Sequence, residues 1–181
     1  RQMCKETGLQ QTCQALGIGC DIIPKVEQEG ITVSSTYIRT LLESGDLDRA
    51  RQFLGHPHQF TGTVVPGTRL GRTLGAPTAN LKVSPELLLP PHGVYACRVW
   101  VQGEAHLAVT NIGVRPTVSG QGLTIEPWLL DYDGDLYGQR ITLELWHFLR
   151  GEQRFPSLEA LQAEIHRNAS QTRAFFAAHS T

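Results

Sequence analysis

Four glycines crowd the stretch Gly62-Thr-Val-Val-Pro-Gly67-Thr-Arg-Leu-Gly71-Arg-Thr-Leu-Gly75, leaving backbone N–H groups that can approach an anion with no Cβ in the way. Arg69 and Arg72 add positive charge, so the segment suits a polyphosphate. Its spacing is neither the phosphate loop ending in Gly-Lys-Ser/Thr nor the dinucleotide fingerprint that opens a helix. A plain hairpin loop explains the glycines equally well. The continuation Pro77-Thr78-Ala79-Asn80 says more. A Thr hydroxyl and an Asn carbonyl two residues apart share one face of an extended chain, where both oxygens can reach one hard cation. The ordinary alternative is an Asx or Ser/Thr turn.

A second candidate is Glu126, in the apolar run Thr124-Ile-Glu126-Pro-Trp128-Leu-Leu130-Asp131. Strand period directs Glu126, Trp128 and Leu130 to one face. A carboxylate among such neighbours is costly to bury without a partner, and partial desolvation makes it a better general base; an open-face surface carboxylate is the bland reading. Asp131-Tyr-Asp133-Gly-Asp135-Leu-Tyr-Gly138 imitates the front of a calcium loop, but the bidentate glutamate is missing, Thr142 standing in its place, so a hairpin turn is expected. His56 and His58 lack further nearby ligands and read as a solvated linker.

These residues need elements to position them, and the chain changes texture near residue 55. Before it the pattern is helical. Leu9, Cys13 and Leu16 form an apolar face, Cys20-Asp-Ile-Ile23 reads as a short buried strand, and Ile38, Leu41 and Leu42 line a helix started by the hydroxyls of residues 34–36. Gly45 ends that helix and Asp46 caps the next, which runs to Gly55. After it come β-rich stretches at 60–65, 94–101, 107–112, 124–130 and 140–148, separated by turn residues. Strands with no helix between them favour an antiparallel sheet closed into a small barrel, since closure removes exposed edges. A last helix is capped by Ser157, with Leu158, Leu161, Ile165, Thr172 and Phe176 toward the barrel.

Composition sets the outer limits. The 181 residues are 40% hydrophobic and carry 16 Lys and Arg against 17 Asp and Glu, enough apolar material for a core and too little positive charge to draw the chain onto nucleic acid or acidic lipid. No apolar run approaches the ~20 residues that span a bilayer, and no basic-then-apolar leader opens the chain. Cys4, Cys13, Cys20 and Cys97 match neither a zinc pattern nor a disulfide framework, so reduced thiols in the cytoplasm are expected. The chain starts with Arg1, within helical sequence, so a preceding portion is expected too.

In this order the motifs resemble the bacterial bifunctional riboflavin kinase/FAD synthetases over nearly the whole chain. The kinase part carries the stronger likeness: Gly62 through Gly75, Pro77-Thr-Ala-Asn80, Gly93-Val-Tyr-Ala96, Thr110-Asn-Ile-Gly113 with Pro116-Thr117, Glu126 followed by Leu130-Asp131, Asp135-Leu-Tyr-Gly138, and Leu149-Arg150 before a final helix. The resemblance implies a mainly β fold, a six-stranded antiparallel Greek-key (split) barrel with a C-terminal helix, over residues 56–181. Residues 1–55, through Ser34-Ser-Thr-Tyr-Ile-Arg39, Gly45-Asp46 and Leu54-Gly55, resemble the end of a Rossmann-like FMN adenylyltransferase domain, whose phosphate motif has no counterpart here. A chain competent for the kinase step alone is expected. Trp128 also departs from the His that the family often has two residues after its glutamate.

By the same resemblance, the chain transfers the γ-phosphoryl group of ATP to riboflavin. Thr78 and Asn80 hold Mg²⁺, the segment with Gly62, Gly67, Gly71, Arg72 and Gly75 folds over the nucleotide, and Glu126 takes the proton of the ribityl 5′-hydroxyl. Arg150, Trp128 and Phe155 are candidates for the flavin slot. Two other classes of function fit a small barrel: a catalytically silent flavin- or nucleotide-binding domain, and a nucleic-acid module, the latter disfavoured by neutral charge.

Overall fold

The computed structural model describes residues 3–67, 75–117 and 120–179, with side chains for 8–67, 75–114 and 122–179. Contacts divide the chain into two units, Arg1–Ser34 and Ser35–Thr181. The first holds helix α1 (Met3–Ala15) and a minimal hairpin of β1 (Glu27–Gln28) and β2 (Ile31–Thr32). Glu29 and Gly30 both take positive φ, 53° and 73°, as a tight two-residue turn requires. Two expectations are corrected here. Leu9 and Leu16 are exposed rather than buried, and Cys20–Ile23 pairs with no strand, leaving Ile23 85% exposed. The helix forms without burying that face, and an apolar run becomes a strand only where a partner strand pairs with it.

The second unit opens with α2 (Ser35–Ser44) and α3 (Leu47–Leu54). Asp46 caps α3 by accepting from the Arg49 N–H at 3.1 Å, and Gly55, at φ 77°, closes it through a bond to the Arg51 carbonyl. Leu41, Leu42, Leu47, Ala50 and Phe53 are buried, and α3 packs on β3 (His58–Val65) and on the last strand of the sheet. By contacts the boundary therefore precedes α2, whereas the texture of the sequence changes after Leu54.

The other strands are β4 (Asn80–Lys82), β5 (Gly93–Val101), β6 (Glu104–Thr117), β7 (Gly120–Leu129) and β8 (Arg140–Arg150). They form one sheet in the order β4-β3-β8-β5-β6-β7, every neighbour antiparallel. Within it β8-β5-β6-β7 is a Greek key: three strands joined in succession, with the fourth returning beside the first. Six alternating strands leave the two edges antiparallel as well, and β4 meets β7, where the Ala79 N–H donates to the Pro127 carbonyl at 2.8 Å. The sheet is thus a nearly closed barrel. Sequence periodicity found five of the strands; β4 has only three residues, two of them polar, and carries no period to read.

Alternation sorts the side chains into two layers. Val64, Leu81, Cys97, Val99, Ala108, Ile112, Ile125, Leu129, Ile141, Leu143 and Leu145 fill the interior, and burial pushes the Cys97 thiol up to about 12, out of reach of redox chemistry. Outside, Val94, Val109 and Leu130 meet Ala169 of the C-terminal helix α4 (Leu158–Ala178), with Leu107, Trp128 and Leu149 at the margin. Ser157 caps α4 by accepting from the Ala160 N–H at 3.2 Å. Of the residues expected on its inner face, Thr172 and Phe176 are buried but Leu158 is 60% exposed, because the first turn overhangs the sheet. Farther along the outer face, the buried Glu144 carboxylate accepts from both the Trp100 and Trp146 indoles, at 2.7 and 3.0 Å.

His58 joins the barrel to the segment before β5, its Nε2 lying 2.9 Å from the Leu88 carbonyl. It is therefore a hydrogen-bond donor in a half-buried site rather than a solvated linker residue. Burial lowers its pKa from the ordinary 6.5, outweighing the carbonyl bond that acts in the opposite sense. The unfolded chain takes up the proton first, so this contribution to stability is complete above about pH 6.5 and is lost as pH falls below it. Urea midpoints at pH 7.5 and 5.5 should fall more for the wild type than for His58→Gln; an equal fall in both would remove the assignment.

Candidate active site

β4 and its approach bring the first candidate residues to the seam of the barrel. Leu81 pairs with Val64, both pointing inward, so Asn80 and its partner Val65 point outward, and Thr78, two residues before Asn80, lines the cavity beside them. Asn80 rests against Gly67: a Cβ on Gly67 would lie 1.8 Å from the Asn80 Nδ2. This glycine leaves room for an amide. Gly62 does something different, since it lies inside β3 opposite Ile141, and a Cβ there would strike Leu81 at 2.6 Å. Its missing side chain lets β3 and β4 pack. Gly75 takes a left-handed φ of 74°, with nothing within 4 Å of an added Cβ among the described residues. Gly71, Arg69 and Arg72 lie outside the described residues.

On the other side of the seam stands Glu126. Ile125 points inward opposite Ile112, so Glu126 points outward, opposite Asn111, and is only 8% exposed. The Ala79–Pro127 hydrogen bond sets Thr78-Ala79-Asn80 directly beside Glu126-Pro127, at the ~4.8 Å spacing of neighbouring strands. Asn80 and Glu126 therefore both point outward at one seam, with Thr78 in the chain beside them. Spacing alone could not reveal this, because 46 residues separate Asn80 from Glu126 and only the return of β7 to β4 joins them.

Register extends the site along the sheet. Asn111 is opposite Glu126, Val94 opposite Asn111 and Arg150 opposite Val94, so four strands present Glu126, Asn111, Val94 and Arg150 in a single row. Beside this row Glu152 reaches back over Gly113, where a Cβ would lie 2.2 Å from its Oε1. Asn111 and Glu152 were not singled out from sequence; the only signal was the Asn-Ile-Gly run, whose role depends on register. Arg150 has the Phe155 ring 5.4 Å from its Cζ, as companions in a slot would. Trp128 does not join them: it packs in the cluster under α4 and meets the His166 ring edge-on at 6.1 Å.

A cavity of about 460 Å³ adjoins the seam, between Pro77-Thr78-Ala79 and the turn at Tyr132–Tyr137. That turn joins β7 to β8, with Asp131 at φ 58° held by Arg173 through both carboxylate oxygens at 3.0 Å. Among the described residues no group of three or more His, Cys, Asp or Glu is placed to hold a metal. A cation at the seam would need the neutral oxygens of Thr78 and Asn80 together with those of a phosphorylated substrate, the manner in which Mg²⁺ is commonly bound.

Comparison with known proteins identifies the family. Residues 54–176 match the flavokinase, or riboflavin kinase, family. The chain belongs to the riboflavin kinase family. A bifunctional riboflavin kinase/FMN adenylyltransferase of Listeria monocytogenes is 40% identical over 157 residues, covering 86% of this chain and 50% of its own. The chain spans about half the length of the curated relatives it matches. A crystal structure described as riboflavin kinase from Trypanosoma brucei superposes with a TM-score of 0.50 at 27% identity, over 65% of this chain and 78% of that one. A Streptococcus pneumoniae structure described as a macrolide-efflux protein gives 0.78 at 32% identity, over 84% and 50%. Its description differs from the family, but among the described residues here no helix is long and apolar enough to cross a membrane. The riboflavin kinase domain thus has the mainly β Greek-key barrel and C-terminal helix expected from the motifs.

Proposed function

We propose that this riboflavin kinase domain transfers the γ-phosphoryl group of ATP to the ribityl 5′-hydroxyl of riboflavin, giving FMN and ADP. The observation that carries the reading is the seam: the chain of Thr78 and Asn80 on one side and Glu126 on the other, joined by the Ala79–Pro127 hydrogen bond. Phosphoryl transfer needs positioning and charge stabilisation more than covalent help. The nucleotide's base and sugar enter the cavity beside Tyr132 and Tyr137. Asp133 and Asp135 repel phosphate from that end and leave it for Asn80 and the glycine segment through Gly67, Gly71, Arg72 and Gly75. Thr78 Oγ1 and Asn80 Oδ1 would hold Mg²⁺, which when bound neutralises charge on the β- and γ-phosphates.

Glu126 then accepts the proton of the 5′-hydroxyl as its oxygen bonds to phosphorus and the bond to the ADP oxygen breaks. The flavin ring lies farther along the row, toward Arg150 and Phe155. Residues 56–181 are read as the kinase domain. Residues 1–55 are read as the end of an FMN adenylyltransferase portion of Rossmann type. The setting proposed is the cytoplasm, with neither nucleic acid nor membrane as partner. The test is incubation with riboflavin, ATP and Mg²⁺ followed by chromatography. FMN appearing with ADP one for one is the expected result; bound riboflavin with no FMN would favour a silent flavin-binding barrel.

A further inference from the structure

Arg150 ends β8, and its guanidinium is gripped from α4. Nε lies 3.2 Å from Asn168 Oδ1 and 3.3 Å from Glu164 Oε1, while Nη1 donates to the Gly151 carbonyl at 3.1 Å. Asn168 is 1% exposed, a position on the inner face of a helix where an apolar side chain would be buried at less cost. Its own amide is fixed in sense: Nδ2 donates to Glu164 Oε1 at 3.2 Å and to Gln171 Oε1 at 3.3 Å, which leaves Oδ1 facing Arg150. Turning the amide over would set N–H groups against the guanidinium. Glu164 is steadied in turn by Arg167, 3.3 Å from its Oε2. With Nε and one Nη1 N–H tied back among the described residues, the guanidinium keeps its remaining Nη N–H groups for a ligand.

What that ligand is follows from the row. Arg150 stands three strands from Glu126 around the barrel, about 14 Å measured along the curved sheet, so a side chain anchored at Nε does not serve the phosphoryl group. The other end of a riboflavin whose hydroxyl lies at Glu126 carries a flat ring with two carbonyl acceptors, and a planar guanidinium matches such an edge. We infer that Glu164 and Asn168 are positioning residues, holding Arg150 so that its free edge binds the carbonyl side of the flavin ring. The inference rests on the kinase reading above. Its consequence is a device that sets affinity for the vitamin without touching the chemistry.

The experiment compares the full chain with Asn168→Ala, Arg150→Ala and the double variant, measuring FMN formation while riboflavin and ATP are varied separately. Asn168→Ala should raise KM for riboflavin about tenfold and leave kcat and KM for ATP within about twofold. Because Asn168 acts through Arg150, the double variant should match Arg150→Ala alone, as a double-mutant cycle reads it. Glu164→Gln, which keeps its shape, should raise the same KM about threefold and likewise add nothing to Arg150→Ala, so the question stays open to test if Asn168→Ala does not fold. Effects that add in the Arg150→Ala background, or that fall equally on ATP, would overturn the inference. If the wild type makes no FMN, the kinase reading fails separately, and riboflavin dissociation constants from quenching of its fluorescence make the same comparison.

Discussion

Replacing Glu126 with Gln lowers kcat by about 10²–10⁴-fold, the range expected when a positioned general base is lost. The amide keeps the size and outward direction of the carboxylate, and Ile125 and Pro127 on either side remain buried, so the strand is undisturbed. KM for ATP should hold within about twofold, because the nucleotide contacts lie across the seam on the chain of Thr78 and Asn80. A purely structural carboxylate would behave otherwise, with thermal stability falling and turnover following it. Steady-state kinetics beside a melting curve separate the two, and a variant retaining wild-type kcat would remove Glu126 from the mechanism.

The second large effect is expected at Gly67. A methyl group there meets the Asn80 amide at 1.8 Å, a separation no packed structure tolerates. The atom struck is the end of a rotatable side chain, so Asn80 swings aside at little cost in folding. Function should suffer instead. Displacing the support of a ligand typically costs about 10–100-fold in metal affinity, so Gly67→Ala should need about that much more Mg²⁺ for half-maximal activity while its melting temperature moves by a few degrees at most. Unchanged Mg²⁺ dependence would mean that Asn80 does not serve the cation.

Much of this arrangement was legible before any coordinates. The hairpin-rich second half, the Asp46 and Ser157 caps, and the shared face of Glu126, Trp128 and Leu130 follow from period, turn residues and capping chemistry, all local physics. What failed had non-local causes. Cys20–Ile23 looked like a buried strand, but an apolar run becomes one only where a partner strand exists. β4 escaped because three residues held by hydrogen bonds from β3 need no period of their own. The packing of Gly62 against Leu81 within the sheet was not legible either, because it depends on the pairing of β3 with β4. The row through Glu126, Asn111, Val94 and Arg150 depends on three registers at once, and the hold of Asn168 on Arg150 depends on how α4 is laid against the barrel.

The central claim is that both sides of the seam serve one pair of substrates. Its most direct test is a crystal structure of the chain with riboflavin, Mg²⁺ and a non-hydrolysable ATP analogue. The account predicts the ribityl 5′-oxygen within about 2.6–3.2 Å of the Glu126 carboxylate and the terminal phosphate against Thr78 and Asn80. A terminal phosphate bound elsewhere on the barrel, with the 5′-oxygen turned away from Glu126, would contradict it.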